Sequence, residues 1–200
     1  FITHAHADHI GRIPKLLKDG FKGKIYSTIE TKSIAELMLR DSAKILETDF
    51  RIKGITPLYD MSNVTEALNC WQTVLYHEEK TFPDFKVVAK DAGHILGSSM
   101  YEFTFPSGKK MVFTGDLGNS PSTLLKDTEV INDATYLLMD SVYGDRNHES
   151  KIEREKKFET VVKETIGRGA TLVIPAFLLE RTQDILYELN KLIESKAISS

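Results

Sequence analysis

The sequence predicts an α/β fold, on three observations. Near the amino end, Ile10, Ile13, Leu16 and Leu17 keep helical spacing between two short strand-like segments. From Trp71 to Phe113 the period changes, and Tyr101, Phe103 and Phe105 alternate as in a half-buried strand. Beyond Gly144, helical spacing returns on both sides of the apolar run Thr171 to Ile174.

Taken in order, Phe1-Ile2-Thr3 reads as the end of a buried strand leading into His4, so the chain is expected to begin within an element. The first helix is expected to end at Gly20, and Lys24 to Ser27 reads as a strand. A long helix is predicted over Thr31 to Thr48, with Ile34, Leu37, Met38 and Ile45 on its apolar stripe and Glu36, Arg40 and Lys44 on its wet face. A shorter helix opens near Ser62. Strands follow at Phe85 to Val88, Met100 to Phe105 and Met111 to Phe113, the last two joined by Pro106-Ser107-Gly108. The apolar strand at Tyr136 delivers Asp140 at its carboxyl end. A helix is then predicted from about Ser150 to Gly167, a strand over Thr171 to Ile174, and a last helix carrying Ile185, Leu186, Leu189, Leu192 and Ile193. That helix leaves an apolar stripe with no later partner in the sequence, so the far end is also expected to be cut.

Composition narrows the function classes. With 41% hydrophobic and 28% charged residues, the 200-residue chain is of ordinary globular type, neither disordered nor low in complexity. The 26 basic and 29 acidic side chains give a net charge of −3, so nucleic acid would have to be met by a local patch. Arg12, Lys15, Lys18, Lys22 and Lys24 are candidates for one, with a solvated helix face as the competing explanation. The single Cys70 excludes an internal disulfide and a cysteine-built zinc site, and is expected to be a small buried apolar residue. No apolar run is long enough to span a membrane and no signal-peptide pattern opens the chain. A cytoplasmic location is the matching expectation.

The chemistry concentrates in His4-Ala-His6-Ala-Asp8-His9, four potential ligands within six positions. Two apart in extended chain, His4 and His6 project to one side, and the turn into a helix swings Asp8 and His9 nearby. The alanine spacers leave room for a cation, and neutral imidazoles with a carboxylate suit zinc. His94 lies in the glycine-flanked turn Asp91-Ala-Gly-His-Ile-Leu-Gly, and Asp116 in Thr114-Gly-Asp-Leu-Gly, each just past a strand end. His4, His6, Asp8, His9, His94 and Asp116 make six ligands, one short of the set two bridged cations usually need. The seventh is expected to be a histidine.

These residues resemble the metallo-β-lactamase superfamily, whose HxHxDH signature is matched by residues 4–9 and whose later ligands are matched by His94 and Asp116. More narrowly, Met139-Asp140-Ser-Val-Tyr-Gly-Asp-Arg146-Asn-His148, Ile174-Pro-Ala-Phe177 and Arg181-Thr-Gln183 resemble the β-CASP branch, the nucleic-acid-cleaving group. The resemblance implies part of an αββα sandwich over residues 1–145 and the beginning of an α/β β-CASP insert domain over 146–200. It implies two zinc ions, the first held by His4, His6 and His94 and the second by Asp8 and His9, with Asp116 as the bridge.

Asp8, Asp116 and Asp140 are the implied catalytic carboxylates, Asp140 orienting a histidine supplied from beyond this stretch. Arg181, Arg146 and Lys15 are candidate nucleic-acid contacts, with the role of His148 open and His77 read as structural. The implied substrate is single-stranded RNA, cut by a zinc-dependent ribonuclease, with a homodimer open and this stretch alone expected to be inactive. A DNA-processing nuclease of the same branch and a lactam or thioester hydrolase are the alternatives. The chain departs from the branch pattern at Asp140 for a common Glu, at Val142 for a common Thr, and at Leu179-Glu180 for a common Val-Gly. The Glu180 carboxylate would compete with phosphate at the following helix terminus.

Overall fold

The computed structural model describes residues 1–147 and 149–198, and His148, Ser199 and Ser200 lie outside the described residues. The chain divides into two compact units, Phe1–Asp140 and Ser141–Ser200.

The first unit opens with an extended segment over residues 1–6, followed by α1 (Ala7–Ile10), α2 (Ile13–Lys18), β1 (Ile25–Ser27), α3 (Ile29–Lys53) and α4 (Met61–Cys70). The predicted first strand is not formed as a ladder. Ile2 N donates to Tyr26 O at 2.8 Å on one side, and Ser99 N donates to Thr3 O at 2.7 Å on the other. One bond to each neighbour makes a bridge between two sheets, and this bridge delivers His4. The predicted single helix is two short ones, and Leu16 faces solvent.

Helix α3 is longer at both ends than its apolar spacing suggests, because Thr28 caps its start and Gly54, in left-handed backbone, ends it. Its buried stripe is Thr31, Ala35, Leu39 and Ala43, whereas Leu37 and Ile45 point to solvent. The small residues Thr31, Ala35 and Ala43 on either side of Leu39 allow close packing, and this outweighs the more apolar neighbouring stripe. Helix α4 starts on a reciprocal capping box between Asp60 and Asn63. Cys70, at its end, is half-buried rather than fully enclosed.

Strand β2 (Trp71–Thr73) pairs in parallel with β1. The second sheet runs β3 (Lys80–Thr81), β4 (Lys86–Asp91), β5 (Ser99–Thr104), β6 (Lys110–Phe113) and β7 (Tyr136–Leu138), in that spatial order. Its first three pairings are antiparallel and β6–β7 is parallel. Val87, Ala89 and Tyr101 form the buried centre of one face, packed by Tyr76, Phe82, Phe85 and Phe103. The Tyr101 hydroxyl donates to Ile2 O at 3.0 Å, tying the opening segment to this core.

In the second unit, α5 (Lys151–Gly167) starts on a capping box between Ser150 and Glu153, and α6 (Arg181–Glu194) follows. The strand predicted over Thr171 to Ile174 is not formed, and these residues are exposed, with no paired strand among the described residues. The mixed α/β architecture is that expected of a metallo-β-lactamase-type chain.

Candidate metal centre

Four segments deliver the ligands. His4 and His6 come from the opening extended segment, Asp8 and His9 from α1, His94 from the turn between β4 and β5, and Asp116 from the turn after β6. His6, the N-cap of α1, has extended backbone, so the chain changes direction immediately after the two histidines. Asp8 and His9 are thereby turned away from the strand direction.

One ligand atom from each of His4, His6, His94 and Asp116 lies within 4.8 Å of the others. The closest pair is His94 Nε2 and His6 Nδ1 at 3.1 Å. A tetrahedral zinc with metal–nitrogen bonds near 2.0–2.1 Å sets its ligand nitrogens roughly 3.3 Å apart. Asp116 divides its two oxygens. Oδ2 lies 3.7 Å from His4 Nε2 and 3.6 Å from His94 Nε2, whereas Oδ1 lies 3.3 Å from His9 Nε2. Asp8 Oδ2 is 3.5 Å from His9 Nε2 and its side chain is largely exposed.

The donor set fits a cation. His4 is fully buried, and its Nε2 has no hydrogen-bond partner. Its Nδ1 is 3.2 Å from Thr3 Oγ1; with the proton on Nδ1 donated to that hydroxyl, Nε2 keeps a lone pair directed at the Asp116 carboxylate. Burial first, and then the nearness of His9, His94 and His6, push the His4 pKa down to about 2. Burial likewise lowers His94 and His6, so near neutral pH these rings are uncharged, the state in which imidazole binds metal. An unpartnered buried imidazole nitrogen is costly, and a cation would satisfy it.

Asp140 lies just past β7 (Tyr136–Leu138), the strand that pairs with β6. Its backbone N–H donates to Thr114 Oγ1 at 3.0 Å, and its Oδ2 accepts from Leu117 N at 3.3 Å, one residue past Asp116. A cleft of about 410 Å³ is lined by His9, Asp116 and Asp140 together with the apolar Phe1, Ile2, Phe113, Leu138 and Met139.

The candidate nucleic-acid contacts are placed differently. Lys15 is ion-paired with Asp19 one turn along α2. Arg146 makes two hydrogen bonds to its neighbour Asp145, at 2.9 and 3.1 Å. Arg181 is the first residue of α6, preceded by Glu180 with φ 65° and ψ −56°. Its N–H donates to Leu179 O at 2.9 Å, closing a three-residue turn. Both arginines belong to the second unit, and His148 lies outside the described residues. His77 is bonded to Glu129 at 2.8 Å.

Sequence reasoning missed the residues that hydrogen-bond to the candidate ligands or to the turn that carries one of them. Thr3, Thr128 and Glu129 carry no motif, and the bonds of the last two to the His94 turn span 36 and 38 residues. Only the neighbourhood of Thr3 to His4 offered a local signal.

Residues 1–162 match the metallo-beta-lactamase superfamily. Among curated proteins, the chain is 33% identical over 188 residues to Ribonuclease TTHA0252 of Thermus thermophilus, covering 94% of this chain and 42% of that one. It is 34% identical over 187 residues to RNase aCSPSF2 of Saccharolobus solfataricus, covering 92% and 36%. It is 33% identical over 193 residues to Cleavage and polyadenylation specificity factor 73 of Drosophila melanogaster, covering 96% and 28%. The chain therefore spans less than half the length of these relatives. The narrower resemblance, to RNA-processing nucleases of the β-CASP type, is carried by the same proteins.

Proposed function

Because the chain belongs to the metallo-β-lactamase superfamily, we propose that its histidine–aspartate cluster is the centre of a metal-dependent ribonuclease that hydrolyses RNA phosphodiester bonds. The observation that carries this is the division of Asp116, with Oδ2 toward His4 and His94 and Oδ1 toward His9. A carboxylate so placed is suited to span two cations. His4, His6 and His94 would hold one zinc ion, and Asp8 and His9 the other. Such a pair would supply an acidified water at neutral pH and would neutralise charge on the non-bridging phosphate oxygens.

The chain's own groups prepare that chemistry. Thr3 Oγ1 contacts His4 Nδ1 and leaves Nε2 to face the centre, and burial favours the neutral form of the three imidazoles. Asp140 holds the backbone beyond Asp116 through Leu117 N and lines the same cleft. That position suits a carboxylate that orients a proton donor near a leaving oxygen. An RNA substrate is favoured over other hydrolase substrates by the relatives, whose names are those of a ribonuclease, an RNase and a cleavage factor. A single RNA strand, a cytoplasmic setting and contacts through Arg146, Arg181 or Lys15 complete the proposal. Among the described residues, no helix is long and apolar enough to cross a membrane.

The test is cleavage of a labelled single-stranded RNA and its matched DNA by the zinc-loaded protein containing this chain, beside Asp116→Ala. RNA cleavage that disappears in the variant is expected. Near-normal cleavage by Asp116→Ala would overturn the mechanism, and preference for DNA would overturn the substrate.

A further inference from the structure

The turn that carries His94 is gripped from both sides by residues outside the ligand set. On one side, Thr28 Oγ1 and Thr31 Oγ1, at the start of α3, both donate to Gly97 O, at 2.6 and 2.8 Å. A Cβ on Gly97 would lie 2.7 Å from Thr31 N, and its φ of 83° suits glycine. Within the turn, the Ser98 hydroxyl accepts from His94 N at 3.0 Å.

The other side is closed by the segment that runs on from Asp116. Gly118 N donates to Ala92 O at 2.9 Å, and Thr128 Oγ1 donates to the same oxygen at 2.9 Å. The approach is so close that a Cβ on Gly118 would lie 1.8 Å from Gly93 O. Glu129 then makes a reciprocal pair with Asp91: its N–H donates to Asp91 O, and its Oε1 accepts from Asp91 N, both at 3.1 Å. Asp91 in turn accepts from Gly93 N at 2.8 Å through Oδ1. His77 Nε2 holds the Glu129 carboxylate from outside, at 2.8 and 3.0 Å. The His77 backbone N–H donates to Ala89 O at 2.9 Å, so the backbone that carries this imidazole is bonded to β4.

Residues 116–129 thus leave one candidate ligand and return to the base of the turn bearing another. We propose that Glu129, steered by His77, is a positioning residue that sets His94 against Asp116, and that Thr128 shares this task. The proposal rests on the metal-centre reading above. Glu129 touches no ligand atom; it acts through Asp91 and Gly93. Groups that orient ligands from outside typically change metal affinity about 10–100-fold when lost.

The experiment titrates the protein with cobalt(II) as a spectroscopic probe and with zinc(II) against a chelator, beside His94→Ala, Glu129→Ala, Glu129→Gln and Thr128→Val. Glu129→Ala is expected to weaken metal binding about 10–100-fold and to shift the cobalt visible bands of the loaded protein. Glu129→Gln retains an acceptor for Asp91 N–H and is expected to bind close to wild type. A residue that served stability alone would lower the melting temperature and leave the cobalt bands of the loaded protein unmoved.

Wild-type affinity and unshifted bands in Glu129→Ala would overturn the proposal, and so would a Glu129→Gln variant as weak as Glu129→Ala. If Glu129→Ala does not fold, Thr128→Val decides. Weakened binding with shifted bands supports the proposal, and unchanged binding overturns it. Wild-type protein that binds neither metal, or binding indifferent to His94→Ala, would sink the metal centre and this proposal together. Binding that depends on His94 but not on Glu129 or Thr128 would sink this proposal alone.

Discussion

His6 Nδ1 and His94 Nε2 stand 3.1 Å apart although 88 residues separate them in sequence. At that distance two neutral imidazoles can share one N–H···N hydrogen bond, which a bound cation would replace. The contact has the spacing of two ligands on one cation. His94→Ala should therefore reduce zinc affinity by more than about 100-fold, beyond the loss of an outer hydrogen-bond partner. Chelator competition with elemental analysis measures it, and an unchanged metal content would contradict the assignment.

Stability of the metal-stripped protein should fall with acid. The His4 pKa is depressed to about 2 by burial, while the unfolded chain keeps its ordinary value near 6.5. Below that value the unfolded state binds the extra proton, so stability is fully present above about pH 6.5 and declines as pH falls toward the folded pKa. His6 and His94, also lowered by burial, act in the same direction. The His4 ring contributes up to about 1.4 kcal/mol per pH unit below about pH 6.5. Urea midpoints from pH 7.5 to 5.5 measure the slope, and a flat profile would show that these rings are not buried neutral.

Asp140 should separate catalysis from metal retention. Its carboxylate meets Leu117 N but is not one of the four converging ligands. Asp140→Ala is expected to slow RNA cleavage by about 10²–10⁴-fold, the usual reach of acid–base assistance. Metal content should stay near wild type. Single-turnover cleavage and elemental analysis on the same samples check both, and undiminished cleavage would remove Asp140 from the mechanism.

Glu180 stands where the β-CASP pattern commonly has Gly, and its φ of 65° with ψ of −56° is a strained backbone for a side-chain-bearing residue. Glu180→Gly should relieve that strain, and after the entropy cost of glycine a gain of about 1 kcal/mol is expected. Thermal melting of the two proteins measures it. A lower midpoint in the variant would mean that the Glu180 side chain contributes more than its backbone costs.

Local order was legible where spacing alone decides geometry. The two-residue step from His4 to His6 and the strand-end glycines around His94 and Asp116 mark the candidate ligands. Ser150 likewise marked the start of α5, whereas the Gly54 cap extended α3 beyond its apolar spacing. Short strands were harder. Residues 171–174 look like a strand but have no paired neighbour among the described residues, and Phe1 to Thr3 makes one backbone bond to each of two sheets. Strand formation depends on a partner that a local pattern does not contain.

By itself the sequence determined the kinds of ligand, their order and the cation chemistry they suit, because residue identity and step length act within a few bonds. Only the tertiary structure decided that one oxygen of Asp116 faces His94 and the other His9. It alone brought Glu129 back to Asp91 and left His4 Nε2 buried without a hydrogen-bond partner. Those outcomes depend on hydrogen bonds and packing between segments dozens of residues apart, whose meeting is fixed by the folded chain as a whole.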